Sequence, residues 1–277
     1  NRLKILKNKS KNFLFSKFSI VDQKKLSNFF KKKKIEYVVH LAAQAGVRYS
    51  IKHPDKYFES NLKGFFNILE CCRLYSIKHL LFASTSSVYG KSNKFPLTEN
   101  TSTDKPLSFY AATKKSNEVM AYSYSNIYNI PCTGLRFFTV YGPYGRPDMA
   151  LYLFADSIKK GKTLKLFNNG IHERDFTYVD DVANALTILI KKPSKDKDIP
   201  YNIFNIGNGN PKKLLNFIKQ IENNLKLSAR TKNFPLQKGD VIKTHASVSK
   251  LKKYINFKPV TDIDVGVAKF VKWFIKK

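Results

Sequence analysis

The chain has 277 residues, which is long enough to bury a sizeable core as one large domain or two closely packed ones. An apolar content of 43% excludes a disordered chain, and no apolar run approaches the roughly 18 residues that a membrane helix needs. The net charge of +30 would suit nucleic-acid binding, but the excess is nearly all Lys and is spread over the whole chain. We therefore expect no nucleic-acid partner and no membrane partner.

The amino-terminal stretch is basic and lacks the apolar segment of a signal peptide. Of the three cysteines, Cys71 and Cys72 are adjacent and Cys132 stands alone, so disulfides are not expected. No CxxC pair or His/Cys cluster predicts a metal site. These features predict a cytoplasmic protein without a metal.

Strands and helices alternate in the first half of the chain. Residues 35–43 and 79–83 read as buried strands, and 131–138 as a third. Apolar spacing predicts helices over 54–76 and 109–129. This alternation predicts an α/β fold with a doubly wound, Rossmann-like parallel sheet.

Small and hydroxylated residues follow the predicted strands. Leu41, Ala42 and Ala43 end the first, Thr85 the second, and the pair 138–139 the third. Ligands bind at the carboxyl ends of strands in such sheets, so a site is expected there.

Tyr110 and Lys114 lie four residues apart on the predicted helix and therefore face the same side. The ammonium would favour the ionised phenol, and the Thr85 hydroxyl could complete a site for proton transfer. The alternative is an ordinary surface pair on a helix.

After Gly142 the elements become shorter and more irregular. The expected division is 1–142 for the first domain and 143–277 for a smaller α+β domain that binds the substrate, with 174–190 returning to the first. Closing helices are predicted over 248–257 and 262–275.

Several ordered segments resemble the extended short-chain dehydrogenase/reductase superfamily of NAD-dependent nucleotide-sugar epimerases and dehydratases. The resemblance runs from about Phe13 to the carboxyl terminus. Two runs, Ala-Gly-Val-Arg-Tyr-Ser at 45–50 and Gly-Arg-Pro-Asp-Met-Ala at 145–150, are most similar to UDP-glucuronate 4-epimerases. The other segments that carry it are residues 40–44, the Thr85 segment, 110–114, 135–144, 174–181 and 239–241.

The resemblance implies conversion of UDP-glucuronate to UDP-galacturonate through a 4-keto intermediate, with NAD as cofactor. Tyr110 would remove the proton of the sugar 4′-hydroxyl, Lys114 would bind the nicotinamide ribose and lower the Tyr110 pKa, and Thr85 would bridge the sugar oxygen. The cofactor contacts implied by the family are Leu41, Ala42, Ala43, Ser60, Tyr110, Lys114 and Phe138.

Ser86 and Ser87 stand where related 4,6-dehydratases have Asp-Glu. Removing water needs an acid and a base, so the two serines favour epimerisation without elimination and are expected to contact the substrate. The alternative is a serine-rich turn with structural hydrogen bonds only.

Four more residues match substrate positions of the family. Thr139 and Arg146 would hold the C5 carboxylate, since Arg can bind a carboxylate through two parallel hydrogen bonds. Arg174 and Asp240 would contact the diphosphate and ribose of UDP. The competing interpretations are a loop salt bridge for Arg146, an ion pair of Arg174 with Asp175, and a helix cap for Asp240.

His40 is expected to be a core histidine, and the sequence assigns no role to His172. Relatives of this kind pair through the helices beside the Tyr-Lys site, so a homodimer is expected. A contribution to polysaccharide biosynthesis is a further implication of the resemblance.

The family's glycine loop, G-x-x-G-x-x-G, has no match in the chain, whose first glycine is Gly46. Residues 13–22 match the family's third strand, with Ser19 at the place of an Asp that touches adenine. The resemblance thus implies a truncated Rossmann domain, and the chain would be a fragment of a working epimerase or a degenerate homologue that only binds nucleotide sugar. Two different functions compete with these: a UDP-glucose-type 4-epimerase, and a basic, non-enzymatic anion-binding module.

Overall fold

The computed structural model of the protein describes residues 2–237 and 239–277. The α-helices are α1 Arg2–Lys9, α2 Gln23–Lys33, α3 Val47–Lys52, α4 Pro54–Tyr57, α5 Gly64–Leu74, α6 Phe109–Tyr128, α7 Ala150–Lys159, α8 Val179–Leu189, α9 Leu214–Leu225, α10 Ser249–Ile255 and α11 Ile263–Ile275. The strands are β1 Tyr37–His40, β2 His79–Thr85, β3 Cys132–Phe137, β4 Thr139–Tyr141, β5 Leu164–Phe167, β6 Glu173–Arg174, β7 Phe176–Tyr178, β8 Tyr201–Ile206, β9 Lys212–Lys213 and β10 Thr231–Phe234.

A parallel sheet of four strands organises the fold, in the order β1-β2-β3-β8. Leu80 and Phe82 of β2 point to one face and pack against α2, α5 and α6. Leu81 points to the other face and packs against α8 and α10. Helices on both faces of a parallel sheet confirm the predicted doubly wound α/β fold.

Strand β8 belongs to this sheet although it lies far beyond residue 142. Its register against β3 runs from Tyr201 to Ile206, and Phe204 and Ile206 are fully buried. Helix α8, within 174–190, packs on the same face. The main sheet therefore draws on segments from both parts of the chain.

A second apolar core joins α7, α9 and α11 to β5 and β7. Its centre is the stacked pair Phe176 and Phe217, with ring centroids 4.2 Å apart. Gly266 of α11 lies against the Tyr141 ring so closely that a Cβ there would clash with it. This core carries the segments that face the carboxyl ends of the main sheet.

The helix predicted over 54–76 is interrupted. A π-helical segment, Phe58–Lys63, separates α4 from α5. The wider turn places Ser60 and Asn61 against the loop that follows β1, where both side chains hydrogen-bond the Gln44 backbone. Such π-bulges occur frequently at functional sites.

The expectation of a strand over residues 13–22 is wrong for this structure. The segment forms no regular element, because the Ile20 and Val21 carbonyls accept hydrogen bonds from the Asn67 amide rather than from a neighbouring strand. Over the described ranges 2–237 and 239–277, no helix has the length and apolarity needed to cross a membrane.

Candidate active site

Thr85 and Tyr110 meet at the carboxyl end of β2. Thr85 is the last residue of the strand, and its Oγ1 accepts a hydrogen bond from the Ser87 N–H at 3.2 Å. Ser108 caps α6 by accepting from the Ala111 N–H, which fixes the first turn of the helix and hence Tyr110. The Thr85 side chain also lies close enough to the Tyr110 phenol to affect its ionisation.

Burial dominates the ionisation of Tyr110. It raises the pKa of the phenol above its usual range, while the Thr85 side chain and the charge of Arg146 lower it. The described residues therefore favour the protonated phenol.

Lys114 lies behind Tyr110 on α6 and is 2% exposed. Its Nζ donates to the Ala83 carbonyl at 2.9 Å, and burial lowers its pKa to about 8. The cation that lowers the Tyr110 pKa among the described residues is Arg146. The Lys114 ammonium is held by the Ala83 carbonyl of β2, and its effect on the Tyr110 pKa stays a prediction.

His40 is a core residue, as expected. It is 5% exposed and lies against the Phe65 ring, with centroids 5.3 Å apart. Burial and then the charge of Lys114 lower its pKa to about 3, so it is neutral at neutral pH.

The predicted cofactor contacts after β1 lie on an accessible loop. Leu41 and Ala42 are exposed and Ala43 is half-buried. Ser60 accepts from the Gln44 N–H at 3.0 Å, so its hydroxyl holds this loop in place. The small side chains leave the end of β1 open to a ligand.

Phe138 and Thr139 follow β3 but play different parts. The Phe138 side chain is 5% exposed and lies in a core with Val88 and Tyr89, so only its backbone faces the site. Thr139 lines a cavity together with Arg146. The structure thus brings together the two residues predicted to hold a carboxylate.

Arg146 makes a bidentate ion pair with Asp148, so the loop salt bridge does form. The guanidinium still acts on Tyr110, because its charge lowers the pKa of that phenol. Its Nη2 also lies 3.7 Å from an ideal Cβ position on Gly46. Arg146 is therefore at the acid–base site and has a carboxylate bound.

Ser86 and Ser87 begin the short 3-10 helix Ser86–Tyr89 and are half-buried. Ser87 Oγ accepts a hydrogen bond from Thr85 Oγ1 at 3.2 Å, which gives it a structural bond within the site. Neither residue brings a carboxylate to the end of β2.

Tyr57 is a site residue that the sequence reasoning missed. Its hydroxyl donates to the Gly46 carbonyl at 2.6 Å, and its ring lies edge-on to Tyr110 with centroids 6.0 Å apart. Burial raises its pKa to about 12. Apolar helical spacing is also typical of core residues, so the sequence offered no signal that distinguishes it.

Arg174 and Asp240 are brought together as a pair, with Nη2 and Oδ1 2.8 Å apart. The competing pairing of Arg174 with Asp175 is wrong, because Asp175 accepts from the backbone N–H groups of Asn208, Gly209 and Ala246. Asp240 does not cap a helix either, since no helix begins in the segment 239–248.

A buried ion pair lies beneath the site. Arg136 of β3 binds Glu118 of α6 through two hydrogen bonds of 2.9 Å, and both side chains are about 4% exposed. Glu118 also accepts from Ser84, the neighbour of Thr85, at 2.6 Å. Glu118 is four residues beyond Lys114, so the ion pair connects the side of α6 that carries Lys114 to strands β2 and β3.

A doubly wound parallel sheet with a Tyr, a Lys and a Thr at its carboxyl end defines the class of nucleotide-cofactor-dependent enzymes of Rossmann type. Comparison with known families makes this specific: residues 2–207 match the NAD dependent epimerase/dehydratase family. The chain belongs to that family, which confirms the expected family and NAD as its cofactor.

Relatives and solved structures agree with this assignment. The chain is 49% identical over 278 aligned residues to Protein CapI of Staphylococcus aureus, covering 96% of this chain and 83% of the relative. It is 42% identical to a probable UDP-glucuronate 4-epimerase of Rhizobium meliloti, covering 86% and 74%. The structure of UDP-glucuronic acid 4-epimerase from Bacillus cereus with UDP-glucuronic acid and NAD superposes with a TM-score of 0.88 at 30% identity, covering 96% and 83%.

The described residues fit the nicotinamide end of an NAD site. The buried Lys114 ammonium is near enough to act on His40, the last residue of β1, which the accessible residues Leu41 and Ala42 follow. A glycine-rich pyrophosphate loop is not among residues 2–237 and 239–277, whose first glycine is Gly46.

Proposed function

We propose that the protein is a UDP-sugar 4-epimerase that converts UDP-glucuronate to UDP-galacturonate. The observation that carries the proposal is the meeting of Tyr110, Thr85 and Arg146 at the carboxyl end of the sheet. The names of the relatives and of the superposed structure support the same reaction.

Tyr110 is the residue that exchanges the proton of the sugar 4′-hydroxyl. Thr85, whose side chain lies near the phenol, would hold the sugar oxygen between them. The raised pKa of Tyr110 means that the phenolate needs a further cationic neighbour to form. When bound, NAD+ would supply that charge and the hydride chemistry at C4′, and Tyr110 and Lys114 are the residues that would hold its nicotinamide end.

Lys114 would hold the cofactor ribose from its buried position. Its pKa of about 8 leaves the amine largely protonated at neutral pH and able to donate. The Ala83 carbonyl, which accepts one of its hydrogen bonds, fixes the direction of the ammonium.

Elimination is disfavoured at this site. The two residues after Thr85 are Ser86 and Ser87, and the nearby carboxylate of Glu118 is bound by Arg136 and Ser84. Without an acid and a base beside C5 and C6, the keto sugar can only be reduced back, and inversion at C4 is the expected outcome.

Thr139 and Arg146 would receive the C5 carboxylate, since they line one cavity. Arg146 already presents two N–H groups in parallel to the Asp148 carboxylate, which is the geometry a uronate carboxylate would use. The same grip would oppose loss of CO2 by keeping the carboxylate charged and out of alignment with the keto group. Arg174 and Asp240 would hold the nucleotide diphosphate and ribose.

A UDP-glucose-type 4-epimerase is the second candidate. It is favoured by the observation that Asp148 neutralises Arg146, because a neutral C5 substituent does not need to displace that carboxylate.

The test is turnover of UDP-glucuronate and UDP-glucose, each with NAD, followed by chromatographic separation of the 4-epimers. UDP-galacturonate should form, and Tyr110→Phe should lower the rate by at least about 100-fold, the usual size of a proton-transfer contribution. Tyr128→Phe, an exposed tyrosine at the end of the same helix, is the matched control and should keep full activity. Faster turnover of UDP-glucose would support the second candidate, and no epimerisation of either would refute both.

We also propose a homodimer and a cytoplasmic location in a pathway of polysaccharide biosynthesis. The exposed side chains Val119 and Tyr122 of α6 and Phe66 of α5 support a pairing surface. The free, buried thiols of Cys71, Cys72 and Cys132 suit a reducing compartment.

A further inference from the structure

His172 is a buried histidine that the proposed mechanism does not use. It precedes β6, and its backbone is fixed by hydrogen bonds to the Gly170 carbonyl and from the Leu214 N–H. The side chain is 4% exposed, and neither ring nitrogen has a hydrogen-bond partner among the described residues. Buried polar atoms are nearly always paired, so this imidazole stands out in the fold.

The ring faces the Asp240 carboxylate. His172 Nε2 and Asp240 Oδ2 are 3.6 Å apart, which is too long for a hydrogen bond. The other oxygen, Oδ1, accepts from Arg174 Nη2 at 2.8 Å and from the Val241 N–H at 2.9 Å. Asp240 thus turns one oxygen to the arginine and the other to the histidine.

The Arg174 guanidinium can bind a second partner instead of Asp240. It is the cation assigned to the nucleotide diphosphate, and a phosphate is a strong bidentate partner for Arg. A diphosphate that binds Arg174 competes directly with Asp240, whose side chain is 36% exposed. The Asp240 carboxylate then loses one of its donors, and the imidazole lies beside its other oxygen, Oδ2.

We propose that His172 takes over the Asp240 carboxylate when a nucleotide diphosphate draws Arg174 away, and that the imidazole takes up one proton from solvent as it does so. This inference rests on the proposed function, because it assumes that Arg174 binds the diphosphate. His172 is therefore a positioning residue, which acts on the ligand through Asp240.

The electrostatics of the pocket give the direction of the proton movement. In the free protein, burial and then the positive charge of Arg174 lower the pKa of His172, while Asp240 raises it. A phosphate bound to Arg174 cancels the effect of the Arg174 charge on His172. The Asp240 carboxylate still acts on the imidazole, so the His172 pKa rises when the ligand binds. The other charged groups on the segments packed around the ring are Glu173 and Lys243, which pair at 2.9 Å, and Lys212 and Lys213 of β9.

The test is calorimetric titration of the protein with UDP-glucuronate, NAD present, between pH 6 and 8 in two buffers of different ionisation enthalpy. The sugar diphosphate has no group that titrates in this range, so proton uptake belongs to the protein. The wild type should take up a fraction of a proton on binding, and its Kd should increase as the pH rises, by up to about tenfold if the pKa shift is one unit. His172→Gln, which keeps a neutral donor, should show no uptake and a flat Kd.

His245→Gln is the matched control, since His245 is a half-buried histidine on the adjacent segment; it should behave as the wild type. Binding without proton uptake, or equal uptake in His172→Gln, overturns this inference and leaves the proposed function standing. Absence of UDP-glucuronate binding at every pH overturns both. If His172→Gln does not fold, NMR titration of the wild-type imidazoles decides: one pKa raised by UDP-glucuronate supports the inference, and none raised overturns it.

Discussion

At the scale of single residues, burial controls the ionisation of the groups around the site. His40, Lys114 and Tyr110 all have a pKa displaced towards the neutral form. Burial in this pocket therefore disfavours the charged form of each of these three groups. Ligands that carry charge have a large effect on such a pocket.

His40 makes stability depend on pH. Its folded pKa of about 3 lies below the unfolded value near 6.5, so the unfolded chain binds the extra proton and stability falls as the pH drops below 6.5. Each pH unit in that window removes up to about 1.4 kcal/mol from this group alone. We expect His40→Leu to flatten the decrease in the free energy of unfolding between pH 6.5 and 5, measured with urea. An equal slope in both proteins would contradict the assignment.

Asp148 competes with a carboxylated sugar for the Arg146 guanidinium. Asp148→Asn removes the competing charge, so the KM for UDP-glucuronate should fall several-fold while that for UDP-glucose stays the same. Steady-state kinetics with both sugars measures this. Asp156→Asn, which breaks the exposed pair of Asp156 with Lys160, is the control and should change neither KM. An unchanged or raised KM for UDP-glucuronate would rule out Arg146 as the carboxylate ligand.

At the scale of elements, the close approach of α11 to the Tyr141 ring explains why residue 266 is a glycine. A Cβ on Gly266 of α11 would clash with the rigid Tyr141 ring, whereas a Cβ on Gly64 of α5 would meet Cδ1 and Cγ1 of the Ile20 side chain, which can turn away, and the Glu59 carbonyl at ordinary contact distance. Both changes gain helix propensity of about 1 kcal/mol. Gly266→Ala should therefore destabilise by about 1–3 kcal/mol, as overpacking does, and Gly64→Ala should be nearly neutral. Thermal unfolding of the two variants tests this, and equal melting temperatures would contradict it.

The sequence predicted the regular elements best where apolar periodicity is strong. Helix α6, strand β2 and strand β3 lie within one or two residues of their predicted bounds. The π-helical break at 58–63 was not predictable, because a wider turn leaves the apolar spacing almost unchanged. Strand β8 was also missed, since its place in the sheet is set by long-range pairing with β3.

For the candidate site, too, local patterns were predictable from the sequence and long-range contacts were not. Residues on one helix or one strand end, such as Tyr110, Lys114 and Thr85, were predictable from spacing and family resemblance. Contacts that join distant segments were not: the Arg174–Asp240 pair spans 66 residues of sequence, and adjacency in sequence offered Asp175 as a competing partner. The Lys114 orientation depended on a backbone carbonyl, which no side-chain pattern reveals.

At the scale of the whole molecule, charge repulsion is a general destabilising force. The chain has 50 Lys and Arg against 20 Asp and Glu. Salt shortens the range of repulsion from about 30 Å at 0.01 M to about 10 Å at 0.1 M. We expect the melting temperature to rise when NaCl increases from 10 to 200 mM, even though exposed ion pairs weaken. A melting temperature that falls with salt would show that attractive pairs dominate instead.

The Glu118–Arg136 pair has a consequence for how this sequence can change over time. Loss of either partner alone leaves a buried charge and costs about 3–5 kcal/mol, whereas replacement of both by apolar residues is often tolerated. Residues 118 and 136 are therefore expected to be inherited together, because a sequence that keeps only one of the two charges folds poorly. Lineages that descend from this chain should keep both residues or lose both, and mixed pairs should be rare among functional descendants.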